Sequence, residues 1–175
     1  MIETSAMRKG AADGTLVVDM PFSADILSFT RADLVFLGVD HSQMSYEVMA
    51  FLNNPSATMA TAHTPEDGYA GRFIIFGHGG CYGDDGHCAV PPATNDPYDL
   101  RPRHPLTPTD KYINATNALR RVLATGGLST VTLVTVASAP RRKDRKAADG
   151  LFNFDGVELR TYLSDVELDG EEALA

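Results

Sequence analysis

Short apolar runs, separated by turn-forming residues, dominate the sequence and constrain its fold. Six runs are rich in Val, Ile, Leu, Phe and Thr, and Gly, Pro, Asn and Asp lie between them. β-Branched and aromatic residues favour strands, and runs of this length bounded by turn residues are typical of antiparallel sheets. The pattern predicts a mainly β protein, an antiparallel, jelly-roll-like β-sandwich, with strands at Leu16–Met20, Leu34–Val39, Met44–Leu52, Arg72–Phe76, Val131–Ala137 and Val157–Leu163.

The run Met44–Leu52 carries apolar residues on both of its predicted faces. Tyr46, Val48 and Ala50 fall on one face, whereas Met49 and Phe51 fall on the other, because side chains alternate along a strand. We therefore expect this strand to lie between two covering layers. The following Asn53-Asn54-Pro55 predicts its end, since proline cannot donate to a ladder and asparagine suits turns.

One segment has helical spacing. Ile113, Leu119, Val122 and Leu123 gather on one side of a helix that begins after Thr109. Threonine is a suitable N-cap, and the glycines at 126 and 127 are a typical stop signal. The spacing predicts a single amphipathic helix over residues 110–124.

Size and charge indicate one acidic domain. The 175 residues suffice for one complete core, which we place at 15–164, between a flexible N-terminal segment 1–14 and an acidic tail 165–175. The net charge of -8 disfavours nucleic-acid binding, which needs a positive field. The basic run Arg141–Lys146 is interpreted as a solvated loop, with a docking patch for an acidic partner as the alternative.

Neither a membrane span nor a signal peptide is expected in this chain. No stretch reaches eighteen apolar residues, and the first residues lack a basic-then-apolar pattern. The chain is expected to be soluble. Its compartment and its oligomeric state stay open.

The segment from His78 to Thr107 is the long irregular part of the chain and is rich in Pro and Gly. Loops of this length inside a compact domain are uncommon and are usually functional or disordered. Prolines restrict the unfolded chain and support an extended path without regular hydrogen bonding, which favours the functional interpretation.

Both cysteines and two histidines lie at the start of this segment. Thiolate and imidazole groups are ligands for copper or zinc, and the glycines around them allow ligands to converge. The predicted metal ligands are His78, Cys81, His87 and Cys88, with His104 as a possible addition. The same two thiols could close a Cys81–Cys88 disulfide or remain free.

Taken in order, several segments resemble a known domain. Tyr69–Phe73 with the following His78, the helical Asn117–Leu123, and the strands Thr130–Val134 and Asp155–Leu159 resemble elements of the C-terminal β-sandwich domain of plant polyphenol oxidases and related tyrosinase-like dicopper oxidases. The resemblance covers most of the chain. It implies a sandwich that caps a copper oxidase.

The resemblance implies a partner rather than an oxidase activity of this chain. The family's core holds each copper with three histidines from a helical bundle, and this chain has five histidines in all. We therefore expect an accessory domain that packs on a dicopper oxidase core, with copper binding or delivery through the Cys/His loop. The alternative is a mononuclear copper or zinc enzyme that uses the same loop, so whether the chain is an enzyme stays open.

Overall fold

The structure is a computed structural model. The residues that it describes are 2–6, 8–12, 14–25, 28–77, 98, 106–137, 146–147 and 150–163. Of residues 2–6, 8–12 and 146–147 it describes the backbone. These residues form two antiparallel sheets and one helix.

The first sheet has four described strands. In order across the sheet they are β1 (Ile2–Ala6), β10 (Gly156–Tyr162), β4 (Arg31–Val39) and β7 (Thr109–Asn114). All three pairings are antiparallel. The register places Leu159 and Ile113 on either side of Leu34, so three apolar side chains form one row that faces the interior.

The second sheet contains the remaining described strands. Their order is β2 (Arg8–Ala12), β3 (Thr15–Phe22), β8 (Leu128–Ala137), β5 (Tyr46–Leu52) and β6 (Tyr69–Ile75), and the short β9 (Lys146–Ala147) also pairs with β8. Every pairing is again antiparallel. Strands β5 and β8 therefore have paired neighbours on both sides, and β6 is at one edge of the described sheet.

Strand β5 is buried on both faces, as its sequence predicted. Val48 and Ala50 belong to the core between the sheets. Met49 and Phe51 belong to a second apolar cluster on the outer face, together with Ala57, Val134 and Val136. Burying apolar surface on both faces stabilises the strand by roughly 2 kcal/mol for each large side chain removed from water. The strand ends at Leu52, before the predicted turn at Asn53.

The helix begins later than the sequence predicted. It spans Thr116–Ala124 (α1), and the expected start at Thr109 is wrong because residues 109–114 form β7 against β4. Pairing with β4 satisfies the backbone of this segment and buries Ile113, which outweighs the helical spacing. The predicted stop is confirmed, since Gly126 and Gly127 follow the helix with positive φ of 132° and 108°.

The fold class predicted from the sequence is confirmed, and each of the six predicted strands corresponds to a strand of the structure. Four strands were not predicted: β7, β9, and β1 and β2, which lie in the N-terminal segment 1–14. The acidic tail 165–175 lies outside the described residues, as does most of the Pro/Gly-rich segment. No helix in the described part of the chain has the length and apolar character that crossing a membrane requires.

Candidate functional site

The predicted metal ligands His78, Cys81, His87, Cys88 and His104 all lie outside the described residues. The structure instead defines where the segment that carries them leaves the sandwich and where it returns. We call this part of the molecule the exit end; it comprises Asp40–Ser45, Phe76–Gly77 and Leu106–Pro108. Its geometry sets the frame from which the Cys/His segment extends.

The segment leaves the sandwich beside the turn that precedes β5. Strand β6 ends at Ile75, and the Gly77 N–H donates a hydrogen bond of 3.1 Å to the Ser45 hydroxyl. A Cβ on Gly77 would overlap the backbone of Gln43 and Met44. Glycine is therefore needed here for close backbone approach, and it fixes the path up to the residue before His78.

The segment returns on the other sheet. Leu106 is buried, and the ring Nε2–H of His41 donates to the Thr107 carbonyl over 2.7 Å. Thr109 then pairs with Val39 as β7 begins. The Cys/His segment thus connects the second sheet to the first at one end of the sandwich. His41 thus anchors the returning segment, a role that its local sequence does not indicate.

An aromatic cluster forms the base of the exit end. Phe73 lies 5.1 Å from Phe36 and 5.8 Å from Phe152, and the Phe152 and Phe154 rings stack at 4.3 Å. Tyr46 joins them with its ring 6.1 Å from Phe152. Aromatic pairs at such separations stabilise beyond the area they bury, by about 1 kcal/mol each. The base is therefore a packed and rigid support.

The Tyr46 hydroxyl connects this base to the turn above it. It donates a hydrogen bond of 2.7 Å to the Asp40 carbonyl. Burial raises the pKa of Tyr46, and the negative charge of Asp40 raises that pKa further. The phenol consequently stays protonated, and keeps donating, throughout the physiological pH range.

Strand β8, which precedes the basic run in the sequence, ends at the same end of the sandwich. Ile75 and Ala137 pair with Tyr46 from opposite sides, so the ends of β6 and β8 flank the start of β5. The chain continues from Ala137 into residues 138–145, which are outside the described residues, and rejoins β8 through Lys146. The two unusual segments of the sequence therefore follow the two strands that pair with β5.

Three large apolar side chains are exposed at this end, and we call them the apolar corner. Phe76 is 86% exposed, Met44 50% and Ile74 45%. Ile74 lies opposite Glu47, whose carboxylate accepts a hydrogen bond of 2.6 Å from Arg72. Glu47 itself is only 3% exposed, so an ion pair borders the apolar corner on the outer face of the sheet. Exposed apolar side chains mark binding surfaces when they form a contiguous patch.

The described histidines lie at opposite ends of the sandwich. His41 belongs to the exit end, whereas His63 lies in the loop after β5 and stacks on Tyr69 with ring centroids 4.7 Å apart. Strand β5 separates them by roughly 20 Å at about 3.3 Å per residue. His63 therefore lies far from the point where the Cys/His segment leaves. Among the described residues, no group of three or more His, Cys, Asp or Glu side chains is placed to hold a metal ion.

No protein-family model matches the chain, and no curated protein is significantly similar to it.

Proposed function

We propose that this chain is an accessory, capping domain that packs on a separate tyrosinase-like dicopper oxidase core. The observation that carries the proposal is the apolar corner, which lies directly before the Cys/His segment. Phe76 is the most exposed of its three side chains and lies two residues before His78. A partner that covered the corner would therefore also cover the start of that segment.

The packing around the exit end supports a docking role. Interfaces concentrate their binding energy in a few large side chains that fill pockets on the partner, with aromatic residues prominent among them. Presenting such a side chain from a rigid base reduces the ordering cost of association. Phe76 follows a strand that is fixed by the Gly77–Ser45 hydrogen bond and by the aromatic cluster beneath it.

The donor set of the Cys/His segment supports a copper role within the same proposal. Cys81 and Cys88 would supply thiolates, and His78 and His87 would supply imidazoles, with His104 as a possible further ligand. Thiolate sulfur is a soft donor that selects Cu(I), and imidazole also binds copper. A copper ion held by these residues would be available for delivery to the oxidase core on which the domain packs.

Affinity capture from the native source tests the docking role. The tagged chain is expected to recover a protein with histidine sets typical of a dicopper oxidase, identified by mass spectrometry. Phe76→Asp is expected to lower that recovery at least tenfold. Met59→Asp is the matched control, because Met59 is a 38% exposed apolar residue in the loop at the opposite end of β5. Recovery without an oxidase-like protein, or equal loss in both variants, would contradict the proposal.

Metal analysis together with thiol titration tests the copper role. Cu(I) is expected to bind with one equivalent per chain in competition with a chelator, and Cys81→Ser and Cys88→Ser are each expected to weaken binding at least tenfold. His63→Gln should leave binding unchanged. An intact disulfide without bound metal would remove copper from the proposal but leave the capping role. A stoichiometric ion in a chain that turns over substrate without a partner would favour the mononuclear metalloenzyme.

A further inference from the structure

A groove lies at the end of the sandwich opposite the exit end, between the loop that follows β5 and the last turn of α1. Its volume is about 340 Å³. This is within the range of small-molecule sites, which begins at roughly 300 Å³. Residues from three parts of the chain line it: Leu52–Asn54, Pro65–Gly68, and Arg121, Val122 and Thr125.

The loop that forms one wall of the groove is held by its own hydrogen bonds. The Asn54 side chain donates a hydrogen bond of 2.8 Å to the Asp67 carbonyl, and the Thr64 hydroxyl donates one of 2.6 Å to the Asp67 carboxylate. Gly68 has φ +80°, and a Cβ there would overlap the Leu52 carbonyl. The wall is therefore preformed, so that a ligand would not have to order it.

The groove presents charges of both signs. Glu66 and Asp67 lie on the loop wall, and Arg121 lies on the helix wall. Within the described part of the chain, the ion pairs join Arg31 with Asp33, Arg72 with Glu47 and Arg160 with Glu158, so that none of the three groove charges is neutralised by another side chain. The guanidinium of Arg121 makes one long hydrogen bond, 3.5 Å to the Tyr69 carbonyl. Most of its donors remain available.

Apolar side chains also line the groove. Leu52 is buried, and Val122 and Pro65 belong to its two walls. An ammonium group is favoured near the carboxylate of Glu66, and a carboxylate fits the guanidinium fork of Arg121.

We propose that this groove binds a free α-amino acid with an apolar side chain. Its carboxylate pairs with Arg121, its ammonium group pairs with Glu66, and its side chain lies on Leu52 and Val122. A simple anion would meet the repulsion of Glu66 and Asp67, and a simple cation would meet that of Arg121, so that the zwitterion is the complementary ligand. Both charges are exposed, and exposed ion pairs contribute little, so we expect a dissociation constant on the order of 1 mM.

Saturation-transfer NMR with L-phenylalanine as the probe tests this site on the full chain. The probe is expected to give a transfer signal, and N-acetyl-L-phenylalanine amide, which lacks both charges, is expected to lose at least fivefold of it. Glu66→Gln and Arg121→Gln are each expected to reduce the signal at least threefold. Lys111→Gln removes a charge from β7 in the first sheet and should leave the signal unchanged.

The outcomes separate zwitterion binding from its rivals. An equal signal from the doubly capped probe would overturn the proposal, because the charges would then not contribute. N-acetyl-L-phenylalanine lacks the ammonium charge and L-phenylalanine amide lacks the carboxylate charge; a full signal from either would overturn the proposal as well, since one charge would suffice. Urea unfolding of each variant is measured alongside; an unchanged unfolding midpoint with a lost signal supports direct binding, and an unchanged signal in both groove variants contradicts it.

Discussion

The two ends of strand β5 are built differently. We define the closed end as Asn53–Gly68 with Gly127–Thr130. There the side chain of Asn53 connects the end of β5 to the start of β8. It accepts hydrogen bonds from the Ser129 N–H, the Ser129 hydroxyl and the Thr130 N–H, and it donates a hydrogen bond of 2.7 Å to the Gly127 carbonyl. At the exit end, His41 and Ser45 each make one hydrogen bond to the backbone of a neighbouring segment, and Tyr46 from the aromatic base beneath makes one to Asp40.

The two ends therefore have different roles: the closed end stabilises the fold, and the exit end directs the chain toward the Cys/His segment. The hydrogen bonds of the closed end link β5 to the start of β8 and hold the loop that lines the groove. Those of the exit end only direct the chain into and out of the Cys/His segment. We therefore expect substitutions at the closed end to lower the free energy of unfolding more than comparable substitutions at the exit end.

Gly68→Ala is expected to have the largest effect. Its φ of +80° is in the region that favours glycine, and the new Cβ would overlap the Leu52 carbonyl. We expect the free energy of unfolding to fall by roughly 3 kcal/mol, measured by urea denaturation. Gly156→Ala is the control; its Cβ would meet only Leu37, at 4.0 Å, and should change stability by less than about 0.5 kcal/mol.

Gly77→Ala is the corresponding test at the exit end, and its loss in free energy of unfolding is compared with that of Gly68→Ala. Its Cβ would also overlap backbone, that of Gln43 and Met44, but Gly77 does not have positive φ and follows the last residue of β6. The chain can shift there without breaking a ladder. We expect a loss of about half that of Gly68→Ala, and an equal or larger loss would show that the exit end is as rigid as the closed end.

Asn53→Ala is expected to have the second largest effect. Asn53 has φ 53°, and asparagine tolerates this conformation better than alanine. The substitution also removes the side-chain hydrogen bonds to β8, so a loss of about 2 kcal/mol is expected. Asn53→Gly keeps the conformation accessible and should recover about half of the loss. If the two variants are equally stable, the backbone conformation does not contribute.

Much of the fold followed from local pattern, because buried strands carry their own signal. The six predicted strands are β-branched and aromatic, and Asn53 and Gly126 mark ends that the structure confirms. The missed strands are polar or short. Strands β1 and β2 form because each pairs with the edge of a different sheet, and β7 forms because β4 is next to it; such partners cannot be read from local sequence.

The candidate sites differ in the same way. The Cys/His segment was found from the sequence, since its ligands are neighbours along the chain, and its metal role remains a prediction. The groove could not be found, because Glu66 and Arg121 are far apart in the sequence and are brought together by the packing of α1 beside the loop after β5. The apolar corner could not be predicted either, because it is defined by side-chain exposure. The run Arg72–Phe76 predicts a strand, and only the fold distinguishes buried Ile75 from exposed Phe76.

Tyr46→Phe is expected to have the smallest of these effects, and its size should depend on pH. Near neutral pH the variant loses the hydrogen bond to the Asp40 carbonyl, which costs about 1 kcal/mol.

Burial raises the pKa of Tyr46 in the folded protein above its ordinary value of about 10. Above pH 10 the unfolded chain therefore releases this proton while the folded protein retains it, which favours unfolding of the wild type by up to about 1.4 kcal/mol per pH unit. The stability that Tyr46 contributes is thus complete below pH 10 and is lost as the pH rises further, so the wild type and the variant should become equally stable near pH 11. Urea unfolding of both proteins between pH 8 and 11 measures this; a difference that stays constant over the range would mean that Tyr46 ionises equally in both states and that the exit end is open to water.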